Sequence, residues 1–289
     1  MKLRAEKLTP TSPNYPQQLL NIPGPPKQLF WLGEAPEKIL SNPCVAVVGS
    51  RKVSAYGHSV TTKIVGDLAR QGIVIVSGLA LGVDSIAHAA ALKAGGLTIA
   101  VLPCGLDRIY PSSHHQLARD ILKSGGVLVT EYNEGQEIFS GNFIARNRII
   151  AGLGLGVLIT EAAEKSGSLH TANFALEQGS EVFAVPGNIT SQTSVGTNNL
   201  IKSGAVVVTD AQDIFNALKL DPKLLEKREV YGDNEEETII LKLIADGTHD
   251  SAELQKISEI DLALFNQTLT MLEITSKIKS EGAGRWTLS

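Results

Sequence analysis

The sequence has few cysteines and no long apolar run. Its 2 cysteines, Cys44 and Cys104, lie too far apart for a CxxC metal or redox pair, so each is expected to be a small buried thiol at a strand end. No apolar run approaches the roughly 18 residues that a membrane-spanning helix requires, and the opening segment MKLRAEKLTPTSPNYP lacks the apolar core of a signal peptide. The sequence therefore predicts a cytoplasmic protein that does not enter the membrane.

Two nucleotide-binding signatures are missing as well. There is no GxxxxGK(S/T) loop, which argues against ATP hydrolysis by a P-loop route. The clustered glycines Gly152, Gly154 and Gly156 precede a predicted strand, whereas the glycines of a dinucleotide-binding GxGxxG motif follow one. Their position favours a helix that ends close to a sheet.

An excess of basic charge is also absent. The net charge of −4 argues against a protein that coats nucleic acid by charge alone. Residues 45–210 contain 12 Lys or Arg and 12 Asp or Glu, whereas residues 221–237 contain 7 acids and 3 bases. Any anion-binding site must therefore be a local patch.

From Cys44 onward, short apolar runs alternate with helical windows, a pattern typical of a parallel sheet covered on both faces. The predicted strands are 45–48, 73–76, 98–102, 127–130, 156–160, 182–185 and 205–208. Right-handed crossovers between them make one α/β domain with a doubly wound, mostly parallel sheet. In such a sheet ligands bind beyond the carboxyl ends of the strands.

The composition divides the chain into four segments. Eight of the 12 prolines lie in residues 1–43, which predicts an extended arm or short helical turns packed on the sheet domain at 44–218. Residues 219–237 are predicted to be an acidic linker, and 238–289 to be three helices and two short strands in the winged-helix arrangement. Its third helix contains no Lys or Arg, so this module is a poor candidate for duplex binding and favours a protein contact or a regulatory role.

Two helix starts flank the predicted strand at 156–160. Arg146, Asn147 and Arg148 are expected to open the first helix, and the cluster KSGS at 165–168 to open the second. Because helix N-termini carry unpaired N–H groups and a partial positive charge, the pair predicts a site for phosphate groups.

Further residues bear on this site. Arg51, in the turn Gly49-Ser50-Arg51 after the first strand, offers a two-pronged donor to phosphate. Phe143 is either a platform for base stacking or plain core. Glu161 and Glu164 are equally placed to pair with the basic groups, which would weaken the patch.

A catalytic set is not evident in the sequence. Asp84 and His88 lie one helical turn apart and offer a candidate metal or acid–base pair, although a capping Asp followed by an interior His is the commoner arrangement. No Ser/His/Asp set or carboxylate pair can be assembled, so we predict no enzyme, no metal and no cofactor.

Six sequence blocks carry a resemblance to a known family. They are VAVVGSR at 45–51, SGLALGVDSIAHAAAL at 77–92, TIAVLPCGLDRIYP at 98–111, RNRIIAGL at 146–153, SGSLHTANFALEQGSEVFAVPGN at 166–188 and GTNNLIKSGA at 196–205. Over roughly 14–218 the chain resembles the DNA-processing protein A family, also called DprA or Smf. Residues 238–289 also resemble the terminal winged helix of many members.

The resemblance implies an extended Rossmann-like fold that binds single-stranded DNA. Such a protein protects incoming DNA, helps to load the RecA recombinase during natural transformation, and forms a homodimer through the Rossmann domain. Carried over by position, the DNA-binding residues are Gly49, Ser50, Arg51, Phe143, Arg146, Asn147, Arg148, Lys165, Ser166, Gly167 and Ser168.

Two alternative functions stay open at this point. Related Rossmann-like folds include nucleotide-binding enzymes of the phosphoribohydrolase type, which would use the same phosphate-ready loops. A winged-helix transcription regulator with a ligand-sensing sheet is disfavoured by the third helix, which lacks basic residues.

Overall fold

A computed structural model describes residues 5–221, 234–245, 247–275, 277–282 and 284–288. The chain divides into two compact units, Met1–Leu92 with Gly96–Glu226, and Lys93–Gly95 with Lys227–Ser289. Among the described residues, the first unit contains a nine-stranded sheet, and the second contains three helices and a β-hairpin.

The strands of the large sheet are short and mostly parallel. They are β1 (Glu6–Leu8), β2 (Leu29–Gly33), β3 (Cys44–Val48), β4 (Val74–Ser77), β5 (Thr98–Val101), β6 (Val127–Thr130), β7 (Gly156–Ile159), β8 (Glu181–Ala184) and β9 (Val206–Val207). Their spatial order is β1-β2-β6-β5-β4-β3-β7-β8-β9. The seven predicted strands are present to within one residue at each end, which confirms the α/β, mostly parallel fold class.

The sheet reverses its direction of growth at β3. The chain adds β4, β5 and β6 on one side of β3, and β7 then returns to pair with β3 on the other side. Cys44 pairs with Val74 in β4, whereas Ala46 pairs with Val157 in β7. A crevice therefore opens beyond the carboxyl ends of β3 and β7, where doubly wound sheets bind their ligands.

The proline-rich segment 1–43 contains short helical turns packed on the sheet domain, at Gln17–Leu20 and Pro36–Ile39, and in addition it extends the sheet. β1 pairs with β2, and β2 pairs with β6, both antiparallel, with Trp31 opposite Val129. Pro25, Pro26 and Pro36 flank β2 without interrupting it, so the ladder hydrogen bonds are kept. The high proline content of the segment thus concealed two strands.

Helices cover both faces of the sheet. They are α1 (Pro36–Ile39), α2 (Ala55–Arg70), α3 (Val83–Lys93), α4 (His115–Lys123), α5 (Ser140–Leu153), α6 (Ser168–Glu177), α7 (Val195–Lys202) and α8 (Ala211–Leu218). Side-chain caps mark two of the helix starts. Ser54 Oγ accepts from Gly57 N at 3.0 Å before α2, and Asp210 and Asp213 form a reciprocal capping box at α8.

Burial on both faces fixes the ends of the central strands. Val157, Leu158 and Ile159 of β7 are 0% exposed, and each such side chain contributes about 1.5–3 kcal/mol when it is fully buried. Ile149 of α5 and Ala172 of α6 belong to the same apolar cluster as β3 and β7. The ends of β3 and β7 are therefore packed against α5 and α6.

The second unit contains α9 (Glu235–Ala245), α10 (Ser251–Ser258), α11 (Leu262–Ile274) and a hairpin of β10 (Ile278–Gly282) and β11 (Arg285–Leu288). Its small core includes Ile240, Leu254, Phe265 and Leu272. The order of elements is the predicted one, and its assignment as a winged helix stays a prediction. Most of the linker predicted at 219–237 lies outside the described residues, and its end forms the first turn of α9.

Within the described ranges, no helix is both long and apolar enough to span a bilayer.

Candidate nucleic-acid interface

A groove of about 700 Å³ lies at the crevice beyond β3 and β7. It is lined by residues from the turns after β3, β4 and β7 and from α5 and α6. Ten of the eleven predicted DNA-binding residues line it, namely Gly49, Ser50, Arg51, Phe143, Arg146, Asn147, Lys165, Ser166, Gly167 and Ser168. The structure thus brings together residues separated by more than a hundred positions in sequence.

The turn after β3 is held in place by backbone contacts. Ser50 N donates to Glu161 O at 2.7 Å, and Val83 N donates to Ser50 O at 3.1 Å. A Cβ on Gly49 would lie 2.7 Å from Glu161 O, so only glycine allows this close approach. The turn is therefore fixed while the side chain of Arg51 is exposed to the groove.

Arg51 and Phe143 form a cation–π pair at the groove wall. The guanidinium carbon of Arg51 lies 5.3 Å from the ring centroid of Phe143, and the Tyr110 ring meets Phe143 edge-on at 5.1 Å. Phe143 is partly exposed and lines the groove, so it is not plain core. Sequence reasoning missed Tyr110, which is 44% exposed, although its position at the end of the block TIAVLPCGLDRIYP was a usable signal.

The prediction that Arg146, Asn147 and Arg148 open a helix is wrong. α5 begins at Ser140, so these residues lie in its second and third turns. The guanidinium groups of Arg146 and Arg148 therefore do not add to the free N–H groups of a helix start. The start of α5 has no side-chain cap, and this explains why its position was missed.

Arg146 points into the protein and ties two strand ends together. It is 3% exposed, and its Nη1 donates to Gly78 O at 2.6 Å and to Val101 O. Its Nε donates to Asn147 Oδ1 at 3.1 Å. Burial lowers the pKa of Arg146 to about 10. Arg146 lines the groove but acts mainly on the loops after β4 and β5.

Arg148 is the one predicted site residue that does not line the groove. Its Nη2 lies 2.7 Å from Glu131 Oε2, and both side chains are largely buried, at 15% and 17% exposed. Positions two apart on an α-helix differ by about 200° around the axis, so Arg146 and Arg148 face opposite sides. Geometrically, Arg148 belongs to an internal ion pair.

Glu161, one of the two acids placed to weaken the patch, does not pair with its cations. Glu161 accepts from Ser54 N at 2.9 Å and from Ser54 Oγ at 2.6 Å, so it holds the start of α2 instead of pairing with the basic groups. Among the described residues that line the groove, Asp84 carries the only carboxylate, against the cations of Arg51, Lys52, Arg146 and Lys165. The groove is therefore electropositive although the chain is acidic.

Asp84 holds the turn after β4. Its Oδ2 accepts from Gly78 N at 3.1 Å and from Ala80 N at 3.4 Å. Burial raises the pKa of this carboxyl, while Arg146 acts in the opposite direction. Asp84 and Arg146 thus fix the same turn from two sides.

His88 is an internal histidine and does not reach the groove. It is 0% exposed, its Nε2 accepts from Leu79 N at 3.3 Å, and its Nδ1 lies 2.6 Å from Thr98 Oγ1. Nδ1 therefore carries the proton, and burial lowers the pKa of His88 to about 3. The ring supports Leu79, whose φ of 55° is rare for a non-glycine residue.

The buried state of His88 predicts that stability falls in mild acid. Below pH about 6.5 the unfolded chain binds a proton that the native state excludes, so stability is lost as the pH falls from about 6.5 towards 3. Between pH 7 and pH 5 we expect the free energy of unfolding, measured with urea, to fall by about 2 kcal/mol more in the native chain than in His88→Gln. His58 is exposed, so His58→Gln should show the same pH dependence of unfolding as the native chain. The same pH dependence in His88→Gln would contradict the role given to His88.

The start of α6 offers small donors beside an exposed cation. Lys165 and Gly167 are exposed, and the hydroxyls of Ser166 and Ser168 lie 2.8 Å apart. The N-cap residue Gly167 provides no side-chain cap. An anion is therefore favoured at this helix end.

The described residues contain no group of three or more metal-ligating side chains. Both cysteines are free and buried, as predicted, and burial raises the pKa of Cys44 to about 12.

Fold and groove together define a Rossmann-type protein with a basic groove at the switch point of its sheet. The model of the family described as DNA recombination-mediator protein A matches residues 6–219. Because this match covers most of the chain, the chain belongs to that family.

Relatives and solved structures agree with the family match. Protein Smf of Escherichia coli (strain K12) is 47% identical over 205 residues, covering 71% of this chain and 54% of that protein. DprA of Streptococcus pneumoniae is 44% identical over 201 residues, 70% of each chain. The X-ray structure of the S. pneumoniae protein matches with a TM-score of 0.69 and 41% identity over 74% of both chains.

A second structure, described as giving insights into the single-stranded DNA binding mode of DprA from Helicobacter pylori, matches with a TM-score of 0.67 and 34% identity. It covers 75% of this chain and 97% of that one. The Smf proteins of E. coli and Synechocystis are longer, and the matched regions span 54% and 56% of their lengths.

Proposed function

We propose that the chain is a non-catalytic, single-stranded DNA-binding recombination mediator. The observation that carries this proposal is the Arg51–Phe143–Tyr110 group in a groove with four cations and one carboxylate. A cationic track beside exposed aromatic rings suits a single strand, because each unpaired base can stack on a ring and each phosphate can meet a cation.

The match to a DprA whose structure concerns single-stranded DNA binding supports the same function. Duplex DNA fits the groove less well, because its bases are already stacked and paired, so the rings would have no free base to contact. We therefore expect a preference for single strands with little dependence on base sequence.

We infer that the protein protects incoming single-stranded DNA and helps to load RecA during natural transformation, in the cytoplasm and as a homodimer formed through the Rossmann domain. Bound single strand is the substrate on which a recombinase must assemble, so a sequence-tolerant binder is suited to hand it over. Family membership supports this setting.

Binding and RecA assembly can be tested together. The full chain should bind labelled oligo-dT far more tightly than duplex of the same length, and it should shorten the lag of RecA filament formation on that strand. Equal affinity for duplex and single-stranded DNA would contradict the proposed function. Tight single-strand binding without any effect on RecA would restrict the function to protection of the strand.

The groove also suggests a second candidate, a nucleotide-cleaving enzyme of the phosphoribohydrolase type. Asp84 favours it as a groove carboxyl with a raised pKa. However, the Asp84 carboxylate accepts from Gly78 N and Ala80 N and so holds the turn after β4. His88 forms its hydrogen bonds in the interior, with Leu79 and Thr98. Release of free base from nucleoside monophosphates, measured by chromatography, would establish the enzyme and displace the non-catalytic proposal.

A further inference from the structure

The groove contains a buried hydroxyl that has no protein partner. Thr171, one turn into α6, lines the groove and is 0% exposed. Among the described residues, no group forms a hydrogen bond with its Oγ1. An unpaired buried hydroxyl costs free energy, and native structures rarely keep one unless a ligand or a water satisfies it.

Other threonines in the helices behave differently. Thr61, Thr62, Thr268 and Thr270 each donate to the carbonyl oxygen four residues earlier, at 2.7–2.8 Å. This local bond is the usual way for a helical threonine to satisfy its hydroxyl. Thr171 does not use it, so its hydroxyl stays available on the groove side of α6.

Further donors lie beside the same helix start. Asn147 Oδ1 accepts from Arg146 Nε, so the amide Nδ2 is the donor that this groove-lining side chain still has to offer. The hydrogen bond between the hydroxyls of Ser166 and Ser168 uses one of their two protons, so the other proton is available to a ligand. These neutral donors line the same groove, into which the positive end of the α6 dipole also opens.

We propose that Thr171, Asn147 and the Ser166–Ser168 pair form a subsite for one phosphate group of the bound strand. The inference rests on the proposed function and adds Thr171 to the binding residues. Phosphate oxygens are acceptors, so they match side chains that still have a proton to donate. Arg51 and Lys165 supply charge at the exposed rim, whereas the subsite fixes the position of one phosphate at the helix start.

The test is Thr171→Val, which keeps the shape of the side chain and removes the hydroxyl. We expect the full chain to bind oligo-dT about tenfold more weakly, the loss of one hydrogen bond to a charged group. Because no charge is removed, the slope of log affinity against log salt should not change. Thr171→Ser should restore the affinity, and the thermal midpoint without DNA should not fall, because valine removes an unpaired hydroxyl from the interior.

Thr61→Val is the matched control. It removes a buried helical hydroxyl that is bonded to Gly57 O and Thr160 Oγ1, so it should lower the thermal midpoint and leave DNA affinity unchanged. Unchanged affinity in Thr171→Val overturns the subsite. The proposed function still stands in that case if Arg51→Ala with Lys165→Ala weakens binding, whereas failure of the native chain to bind oligo-dT overturns the function itself.

Oligo-dT with and without a 5′-phosphate identifies the source of the phosphate. A backbone phosphate predicts that Thr171→Val weakens both oligonucleotides equally. A terminal phosphate predicts that the native chain prefers the 5′-phosphorylated strand and that the variant loses this preference. Either result supports the subsite.

Discussion

Replacing Arg51 and Lys165 together by alanine is expected to weaken binding to oligo-dT by about 100-fold. Both side chains are exposed at the rim of the groove, one after β3 and one at the start of α6, so we expect them to contact different phosphates of the strand. Arg51→Ala also removes the cation from the face of Phe143. Folding stability should change little, because neither side chain is buried.

The salt dependence separates this effect from a general loss of structure. Each lost phosphate contact to a single strand reduces the slope of log affinity against log salt by about 0.7, so the double variant should lose about 1.4. Lys63→Ala with Lys202→Ala is the matched control, since it removes two exposed cations that do not line the groove. Tight binding with an unchanged slope in the Arg51 and Lys165 variant would exclude this groove as the DNA track.

The central sheet could be predicted from sequence because its strands are buried on both faces. Short, largely apolar runs such as VLVT at 127–130 are typical of a strand buried on both faces, and β6 spans those residues. β1 is only three residues long, and β2 was missed although its LFWL run is apolar. It lies among prolines, and it pairs with β6 about a hundred residues further along the chain. Local patterns carry no information about such a distant partner.

Helix boundaries limited the prediction of the site. The turn after β3 and the start of α6 were located correctly because a strand end or a KSGS cluster marks them. α5 begins at Ser140 without a capping side chain, so its start was not located correctly and was placed at the Arg146-Asn147-Arg148 cluster. That error changed the environment assigned to Arg146, which is interior, and to Arg148, which is paired with Glu131. Residues in the second and third turns have no free N–H groups beside them, and their side chains face whatever packs on that side of the helix. The error in the boundary therefore became an error in the role assigned to both arginines.

Arg146→Met is expected to lower the free energy of unfolding of the sheet unit by about 3–5 kcal/mol. The guanidinium holds Gly78 O and Val101 O, and its charge offsets that of buried Asp84. Methionine fills a similar volume but leaves both carbonyl oxygens and the carboxylate without their donor and counter-charge. Arg146→Lys keeps the charge, but a single ammonium group cannot reproduce the planar fork, so an intermediate loss is expected.

Urea unfolding can be followed in the sheet unit alone because the chain has 2 tryptophans, Trp31 in β2 and Trp286 in β11. A Trp286→Phe background leaves the fluorescence of Trp31 as the probe. Arg148→Met is the comparison, and it should cost less, because the Arg148–Glu131 pair keeps partial contact with solvent. If Arg146→Met unfolds with the same free energy as the native chain, and its slope of log affinity against log salt is smaller by about 0.7, Arg146 is instead a phosphate ligand. A large loss of stability would show that Arg146 positions the loops after β4 and β5, which contribute to the groove.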